Sequence, residues 1–557
     1  MCVTEMTGIG SRGCTAMVGV YGGLEIGLTH TLPRVIAHVA AKWQDKPFCI
    51  DEDGTVTTFA ALERRVAGLG AHLLELGVRY GDRVAILAPN CSGWIVAACA
   101  AQSVGAILVP INTRFKGPEI LYVLRRSGAS VLFTVGSFLG TDYASMAIAA
   151  GGGASADGRP IAELTRLKAL IRIDDQDFAP DHLNEVARNR FAEAAAKVTP
   201  DTTLDIMFTS GTTGQPKGAM HGHGQALWMT GLWSQSNDLQ STDRTAIVNP
   251  FFHSFGYRSG WMSALMGGMT MWPLSAFDAG EMLALIEREK ITQLSGAPTV
   301  FYSLMQHPDF SKRDISSLRT GHTGGAKTPP EIIRAGYEVL GFDIFLTSYG
   351  QTEATAMIST NYPGDPLDAI VTTVGRPIPG TQVRIVAADG SDVAVGDQGE
   401  LLVRGPNVMQ GFFDDPVQTA ATIIDGWLHT GDVACLDNDG RLRILDRLKD
   451  VVIVGGFNAY PVEIEIMLGA HPDILEAAVI GLPDERMGEV TAAFVIARDD
   501  AEITLATFTA WCREQMANYK VPRHLFLVKE LPRTPLGKVQ KFELRKQALS
   551  ALGRGKA

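Results

Sequence analysis

Four hydroxyl side chains, three glycines and one lysine fall within ten residues in Thr209-Ser-Gly-Thr-Thr-Gly-Gln-Pro-Lys-Gly218. Glycines let backbone N–H groups converge on an anion, hydroxyls donate further bonds, and a lysine adds a point charge. Thr209, Ser210, Gly211, Thr212, Thr213, Gly214 and Lys217 are therefore candidates for a cradle around phosphate oxygens. The string is not the loop of P-loop NTPases, which needs Gly-Lys-Ser/Thr; here Pro216 precedes Lys217 and Gly218 follows it. So specific a string is rare in a plain surface turn.

A cradle of this kind needs a rigid strand before it, and the run Asp205–Phe208 reads as one. Upstream, 83–88, 106–110 and 131–135 read as strands, and 94–101 and 118–126 as helices. That alternation predicts βαβ units in a mostly parallel sheet covered by helices, and it resumes from 206 to about 358. Residues 144–158, small and low in complexity, read as a surface insertion or loop. From 373 the texture changes. Short β-rich runs at 382–386, 400–403 and 441–444 are cut by Asp389-Gly390, Asp425-Gly426 and Asp439-Gly440, a pattern of hairpins or a small barrel. The last hundred or so residues alternate again, with strands at 477–480 and 492–496 and a helix at 505–516.

At 557 residues the chain is long enough for a large lobe and a smaller one. With 46% hydrophobic and 20% charged residues it can bury a core, which excludes a disordered chain. A net charge of −11 argues against broad nucleic-acid binding while leaving room for one local cationic site. The seven cysteines form no CxxC and suit reduced thiols in a cytoplasm. Residues 1–23 lack the basic start and apolar core of a signal peptide, and residues 94–111 are too interrupted for a membrane span.

Further sharp segments follow in order: Pro250-Phe-Phe-His-Ser-Phe-Gly256, Tyr349-Gly-Gln-Thr-Glu-Ala354, Gly426-Trp-Leu-His-Thr-Gly-Asp432, Asp446-Arg-Leu-Lys-Asp450, Gly455-Gly-Phe-Asn-Ala-Tyr-Pro461 and Pro532-Arg-Thr-Pro-Leu-Gly-Lys538. Together with the glycine-rich string, they make the chain resemble the AMP-forming acyl-CoA synthetases, from about residue 28 to 546. This superfamily also holds luciferases and the adenylation domains of peptide synthetases. The resemblance implies an α/β fold. A large N-terminal lobe of parallel-rich sheets and helices, with a small β-barrel-like part, would span 1–446. A hinge would span 447–450, and a small mobile α+β domain 451–557.

It also implies two steps: attack of a carboxylate on the α-phosphorus of ATP, then attack of a thiol on the acyl-adenylate. Lys538 matches the lysine that reaches carboxylate and α-phosphate, Thr352 the hydroxyl on that phosphate, and Glu353 the carboxylate that holds Mg²⁺. Tyr349 would stack on adenine against the wall formed by Gly325 and Ala326. Asp432 would hold the ribose hydroxyls and Arg447 would add a ribose contact. Lys449 matches the pivot about which the small domain turns. Gly455 and Gly456 match the CoA tunnel, where a Cβ would obstruct pantetheine.

His253 matches a residue lining or gating the acyl pocket. Phe252, Phe255, Tyr257 and Tyr302, with Trp261, Met262 and Val300, are the pocket candidates and favour a bulky apolar acid. No acidic residue lies between Asn249 and Ala276 to pair with the ammonium of an amino acid. The combination resembles the branch acting on polycyclic or steroid-derived acids. Lys327 and Arg258 depart from the family pattern and add cations beside the adenine wall and the acyl pocket. The resemblance implies ATP, CoA, Mg²⁺ and a small carboxylic acid as partners, and leaves a homodimer open. The alternatives are an adenylating enzyme that loads a carrier protein, or a partial enzyme running only the thioesterification step.

Overall fold

The computed structural model describes residues 19–150, 164, 166–174, 183–209, 216–325, 328–454, 457–484, 487–498, 501–516, 518–533 and 538–553. Among the described residues, the strands form two large sheets, two smaller ones and two short hairpins. One large sheet runs in the order Ala169–Arg172, Val131–Thr134, Arg83–Leu87, Ile107–Pro110, Thr203–Thr209, Lys217–Gly222, Gly411–Phe412. Its first five strands are parallel, Lys217–Gly222 runs against them, and Gly411–Phe412 pairs antiparallel with Lys217–Gly222. The other is built around parallel strands Pro47–Ile50, Thr270–Pro273, Arg244–Ile247, Gln293–Gly296, Thr320–Thr323 and Ile344–Tyr349. The expected alternation is present, because strands buried on both faces read as apolar runs.

The main core lies around helix Ser92–Ser103, of which every residue is buried. A helix apolar on all sides has no solvent face to present and must sit inside. Residues 144–150 depart from the expected loop: Tyr143–Ala150 is helical, with Tyr143 and Ala147 buried. Runs of Ala carry high helix propensity even where composition looks simple. The rest of that stretch lies outside the described residues.

The third sheet is antiparallel, with Gln382–Val386, Gly399–Arg404, Trp427–Leu436 and Ile423–Ile424 in order and Leu442–Arg447 on Trp427–Leu436. Asp425 (φ 51°) and Gly426 (φ 78°) turn the hairpin between Ile424 and Trp427. Positive φ at both central residues matches the twist of the flanking strands, which explains the Asp-Gly pair. The fourth sheet carries Phe457–Ala459, Val452–Val454, Gly488–Ala497 and Ile474–Asp484, with His524–Leu527 joining Gly488–Ala497 in parallel. It has cores of its own on both faces. No helix among the described residues is long and apolar enough to cross a membrane.

Candidate functional site

Thr209 ends its strand directly opposite Lys217, which begins the return strand. Ser210, Gly211, Thr212, Thr213 and Gly214, between them, lie outside the described residues, as do Ala326, Lys327, Gly455 and Gly456. Thr209 Oγ1 donates to Glu353 Oε1 at 3.4 Å. The Lys217 ammonium stands 5.7 Å from the centroid of the Phe412 ring.

Glu353 sits on the short 3₁₀ turn Thr352–Ala354, just after strand Ile344–Tyr349. The backbone there is strained: Thr355 (φ 52°) and Ala356 (φ 87°) are both left-handed. Such residues cost on the order of 1–3 kcal/mol each and persist only where neighbours hold them. A Cβ on Gly350 would stand 1.9 Å from the Ala356 carbonyl oxygen, so the turn closes only on glycine. The neighbours that hold it are buried. Thr355 Oγ1 donates to the Asn407 carbonyl at 2.7 Å, and Asn407 Nδ2 donates to the Met357 carbonyl at 3.1 Å. The Met409 N–H donates to the Glu353 carbonyl at 2.9 Å. Asn407 escapes sequence reasoning, because it sits about fifty residues from the turn it braces.

Asp432 and Arg447 face each other across adjacent antiparallel strands. Arg447 Nε lies 2.6 Å from Asp432 Oδ1, and the Tyr349 hydroxyl donates to Oδ2. Burial pushes the Asp432 carboxyl above its usual pKa, and Glu353 adds to that; Arg447, Tyr349 and Lys538 pull it back. Lys538 and Glu353 therefore stand within electrostatic range of one carboxylate. Burial, then the Asp432 charge, also holds the Tyr349 hydroxyl protonated well above its normal range. Thr209 and Glu353 thus come together, as do Tyr349, Asp432 and Arg447. Nearby, Lys449 lies in the 3₁₀ turn Leu448–Asp450. On one side of that turn, Asp446 Oδ2 accepts from the Val462 N–H, on the other side, at 2.8 Å. Lys541, three residues after Lys538, pairs with Glu465 at 2.8 Å.

His253 caps a short helix, Nδ1 accepting from the Phe255 N–H at 3.3 Å. Desolvation, aided by Arg258, lowers its pKa to about 4, so it is neutral at physiological pH. Phe252 and Phe255 are half-buried. A Cβ on Gly325 (φ 77°) would be 3.9 Å from the Phe255 ring, and Phe255 meets His322 edge-on at 6.1 Å. Tyr257 departs from its pocket assignment. Its ring stacks on Trp261 at 5.1 Å and meets Trp94 edge-on at 5.9 Å, and its hydroxyl accepts from Gln102. Tyr257, Trp261 and Met262 are core residues because this segment winds as a π-helical turn, Tyr257–Met262, onto the central buried helix. Tyr302 is 43% exposed. Its neighbour Phe301 takes the buried face of helix Pro298–Gln306, and one residue further rotates the side chain about 100° away. Val300 is buried against Gly296 in the second core.

Arg258 adds no unpaired charge to the pocket. It is 1% exposed, and its Nη2 donates to both oxygens of the equally buried Asp205, at 2.9 and 3.1 Å. His221, directly across from Asp205 in the strand register, places Nδ1 2.7 Å from Asp205 Oδ1 and Nε2 2.7 Å from the Thr352 carbonyl oxygen. Arg258 and His221 together hold the Asp205 carboxyl below its usual pKa despite full burial. The available signal was an acid within the apolar strand Leu204-Asp-Ile-Met-Phe208, since a buried carboxylate demands a partner.

The pattern of AMP-binding enzymes matches residues 36–413, and that of the AMP-binding enzyme C-terminal domain matches residues 463–538. The chain belongs to the AMP-binding enzyme family. Within it the protein is an acid–thiol ligase of the acyl-CoA synthetase type, which takes a small carboxylic acid, ATP and CoA. A Rhodococcus jostii (strain RHA1) CoA ligase for a 7a-methyl-1,5-dioxo-octahydro-inden-4-yl propanoyl group is 42% identical over 532 residues, covering 93% of this chain and 98% of that one. A feruloyl-CoA synthase from Amycolatopsis sp is 37% identical over 494 residues, 89% of this chain and 94% of its own. The crystal structure of the anthranilate CoA ligase AuaEII with anthranoyl-AMP superposes with a TM-score of 0.83 at 29% identity, covering 94% of this chain and 98% of that chain.

Proposed function

We propose that the protein activates a bicyclic or larger polycyclic alkanoic acid as its acyl-adenylate and transfers the acyl group to CoA by alternation of two arrangements. The observation that carries the first step is geometric: Thr209 Oγ1 donates to Glu353 Oε1 at 3.4 Å, while the Asp432 carboxylate is held between Arg447 and the Tyr349 hydroxyl. A carboxylate attacking ATP is an anion meeting a polyanion, so fixed donors aimed at the phosphate oxygens stabilise the transition state. In this reading Lys538 bridges substrate carboxylate and α-phosphate, the Thr352 hydroxyl donates to that phosphate, and the 209–217 segment surrounds the outer phosphates. Asp432 accepts from the ribose diol; a carboxylate has room for about four donors, so Tyr349 and Arg447 leave capacity. Tyr349 and Gly325 bound adenine. The oxygen donors Glu353 and Thr209 suit Mg²⁺, a hard cation usually held by one or two carboxylates and substrate phosphates. Glu353 is the residue that would hold it, and the ion would offset charge on the phosphate oxygens.

In the second step Lys538 has no task, and the thiol needs a path. Rotation about Lys449 would withdraw Lys538 and bring Gly455 and Gly456 to the cleft, with 451–557 as the moving part. The Asp446 bond to Val462 crosses the pivot and supports an arrangement that must be exchanged for another. Neutral His253, with Phe252 and Phe255, suits the mouth of an acyl pocket. The octahydroindene relative supports a fused-ring acid, and the thiols of Cys49, Cys91, Cys99, Cys435 and Cys512 fit a reducing cytoplasm. The test is a panel of acids: an octahydroindene-dione propanoate, ferulate and a medium-chain fatty acid, each assayed with ATP and CoA. The fused-ring acid should give the highest kcat/KM. A preference for the linear acid would overturn the substrate assignment, and transfer to a carrier protein instead of CoA would overturn the acceptor.

A further inference from the structure

The acyl-pocket segment and the phosphate-facing turn are joined by a chain of buried polar contacts. Arg258 sits in the π-helical turn that follows His253 and Phe255. It bonds Asp205, Asp205 bonds His221, and His221 bonds the Thr352 carbonyl. The side chains of Asp205, His221 and Arg258 are 0–1% exposed. The two neighbours of the His221 ring, a carboxylate and a backbone carbonyl, are both acceptors and hold the ring from its two nitrogens. The π-turn is itself irregular: Gly260 has φ −96° and ψ −105°. Such turns recur at functional sites because they re-aim side chains, here Arg258 toward Asp205.

We infer that His221 is a positioning residue: held by Arg258 through Asp205, it fixes the Thr352 carbonyl and thereby sets Thr352 and Glu353 relative to the segment that carries the substrate acid. The Thr355–Ala356 backbone beside the Thr352–Ala354 turn is strained and must be held by its neighbours, and the His221 bond to the Thr352 carbonyl is one of the contacts that hold it. Near-attack geometry tolerates little error, and a displacement of about 1 Å can cost on the order of a hundredfold in rate. This inference rests on the adenylation reading proposed above.

The experiment compares two amides that each keep half of the histidine's bonding. In His221→Gln the amide nitrogen falls near the Nε2 position and can still donate to the Thr352 carbonyl. In His221→Asn it falls near Nδ1 and can donate only to Asp205. ATP–pyrophosphate exchange with a saturating carboxylic acid should show kcat for Gln within about threefold of the unaltered enzyme and for Asn lowered tenfold or more, with melting temperatures of the two variants alike. Equal losses in kcat, or no loss in either, would overturn the inference. If neither variant folds, Arg258→Lys serves instead: it keeps the charge but not the geometry of the bonds to Asp205. It should lower the exchange kcat about tenfold at unchanged KM for ATP, and an unchanged kcat would overturn the inference. Absence of acid-dependent exchange in the unaltered enzyme would instead refute the adenylation reading, so the two failures are distinguishable.

Discussion

Asp432→Asn separates a nucleotide-binding role from a structural one. The carboxylate side chain is 3% exposed and paired to Arg447 Nε at 2.6 Å and to the Tyr349 hydroxyl. The amide keeps the volume. Its oxygen can still accept from Arg447, and its nitrogen can donate to the tyrosine oxygen, so the local brace survives. What it cannot do is accept from both hydroxyls of a ribose. One charge-assisted hydrogen bond is worth about 1.5–3 kcal/mol, or roughly ten- to a hundredfold in affinity at 1.4 kcal/mol per decade. Arg447 is 37% exposed, so weakening its ion pair changes stability little. The variant should therefore raise KM for ATP by about ten- to a hundredfold in pyrophosphate exchange, with kcat changed far less and the melting temperature shifted by only a few degrees. A KM within twofold, together with a large loss of melting temperature, would refute the reasoning and make Asp432 a brace between its two strands.

Lys538→Ala should lower adenylation by about a hundred- to a thousandfold while sparing thioester formation from a supplied acyl-adenylate; equal loss in both half-reactions would count against the assigned role. Gly350→Ala should cut activity more than about tenfold, because a Cβ 1.9 Å from the Ala356 carbonyl forces the Tyr349–Glu353 connection to move. Full activity would show that the turn yields cheaply. His223 and His322 are buried, and desolvation lowers each to about 3 from 6.5. The unfolded chain binds the protons that the folded one refuses. The stability tied to their neutral forms is complete above pH 6.5, and falls as pH drops toward 3 by about 2–3 kcal/mol per histidine between pH 6.5 and 4.5. Urea unfolding of His322→Gln should show a flatter acid slope than the unaltered protein, and parallel slopes would remove His322 from the explanation.

The alternation of elements and the order of the motifs were legible because buried parallel strands leave apolar runs and because glycine-rich turns have few substitutes. Asp425-Gly426 is such a case: its hairpin follows from the two positive φ values the pair supplies. Thr209 meets Glu353, and Tyr349 and Arg447 meet Asp432, because strand register and the turn after Tyr349 set them side by side. The pocket was less legible. Tyr257 and Tyr302 were assigned by residue type, but the π-turn carries one into the core and helix phase turns the other outward. Asp205 stood out as an acid in an apolar strand, but its partners His221 and Arg258 could not be read from spacing, because strand register and an irregular turn bring them to it. Arg258, read as an added charge at the pocket, is neutralised by an acid 53 positions away.

The central claim is that one cleft forms an acyl-adenylate and then surrenders it to CoA. It is tested most directly by a single-turnover experiment with radiolabelled ATP, first without CoA and then with CoA added. The account predicts that a fused-ring acid drives formation of enzyme-bound acyl-AMP and pyrophosphate in the first stage, followed by release of AMP and acyl-CoA in the second. Acyl-CoA appearing with ADP and phosphate, without an AMP-bearing intermediate, would contradict it.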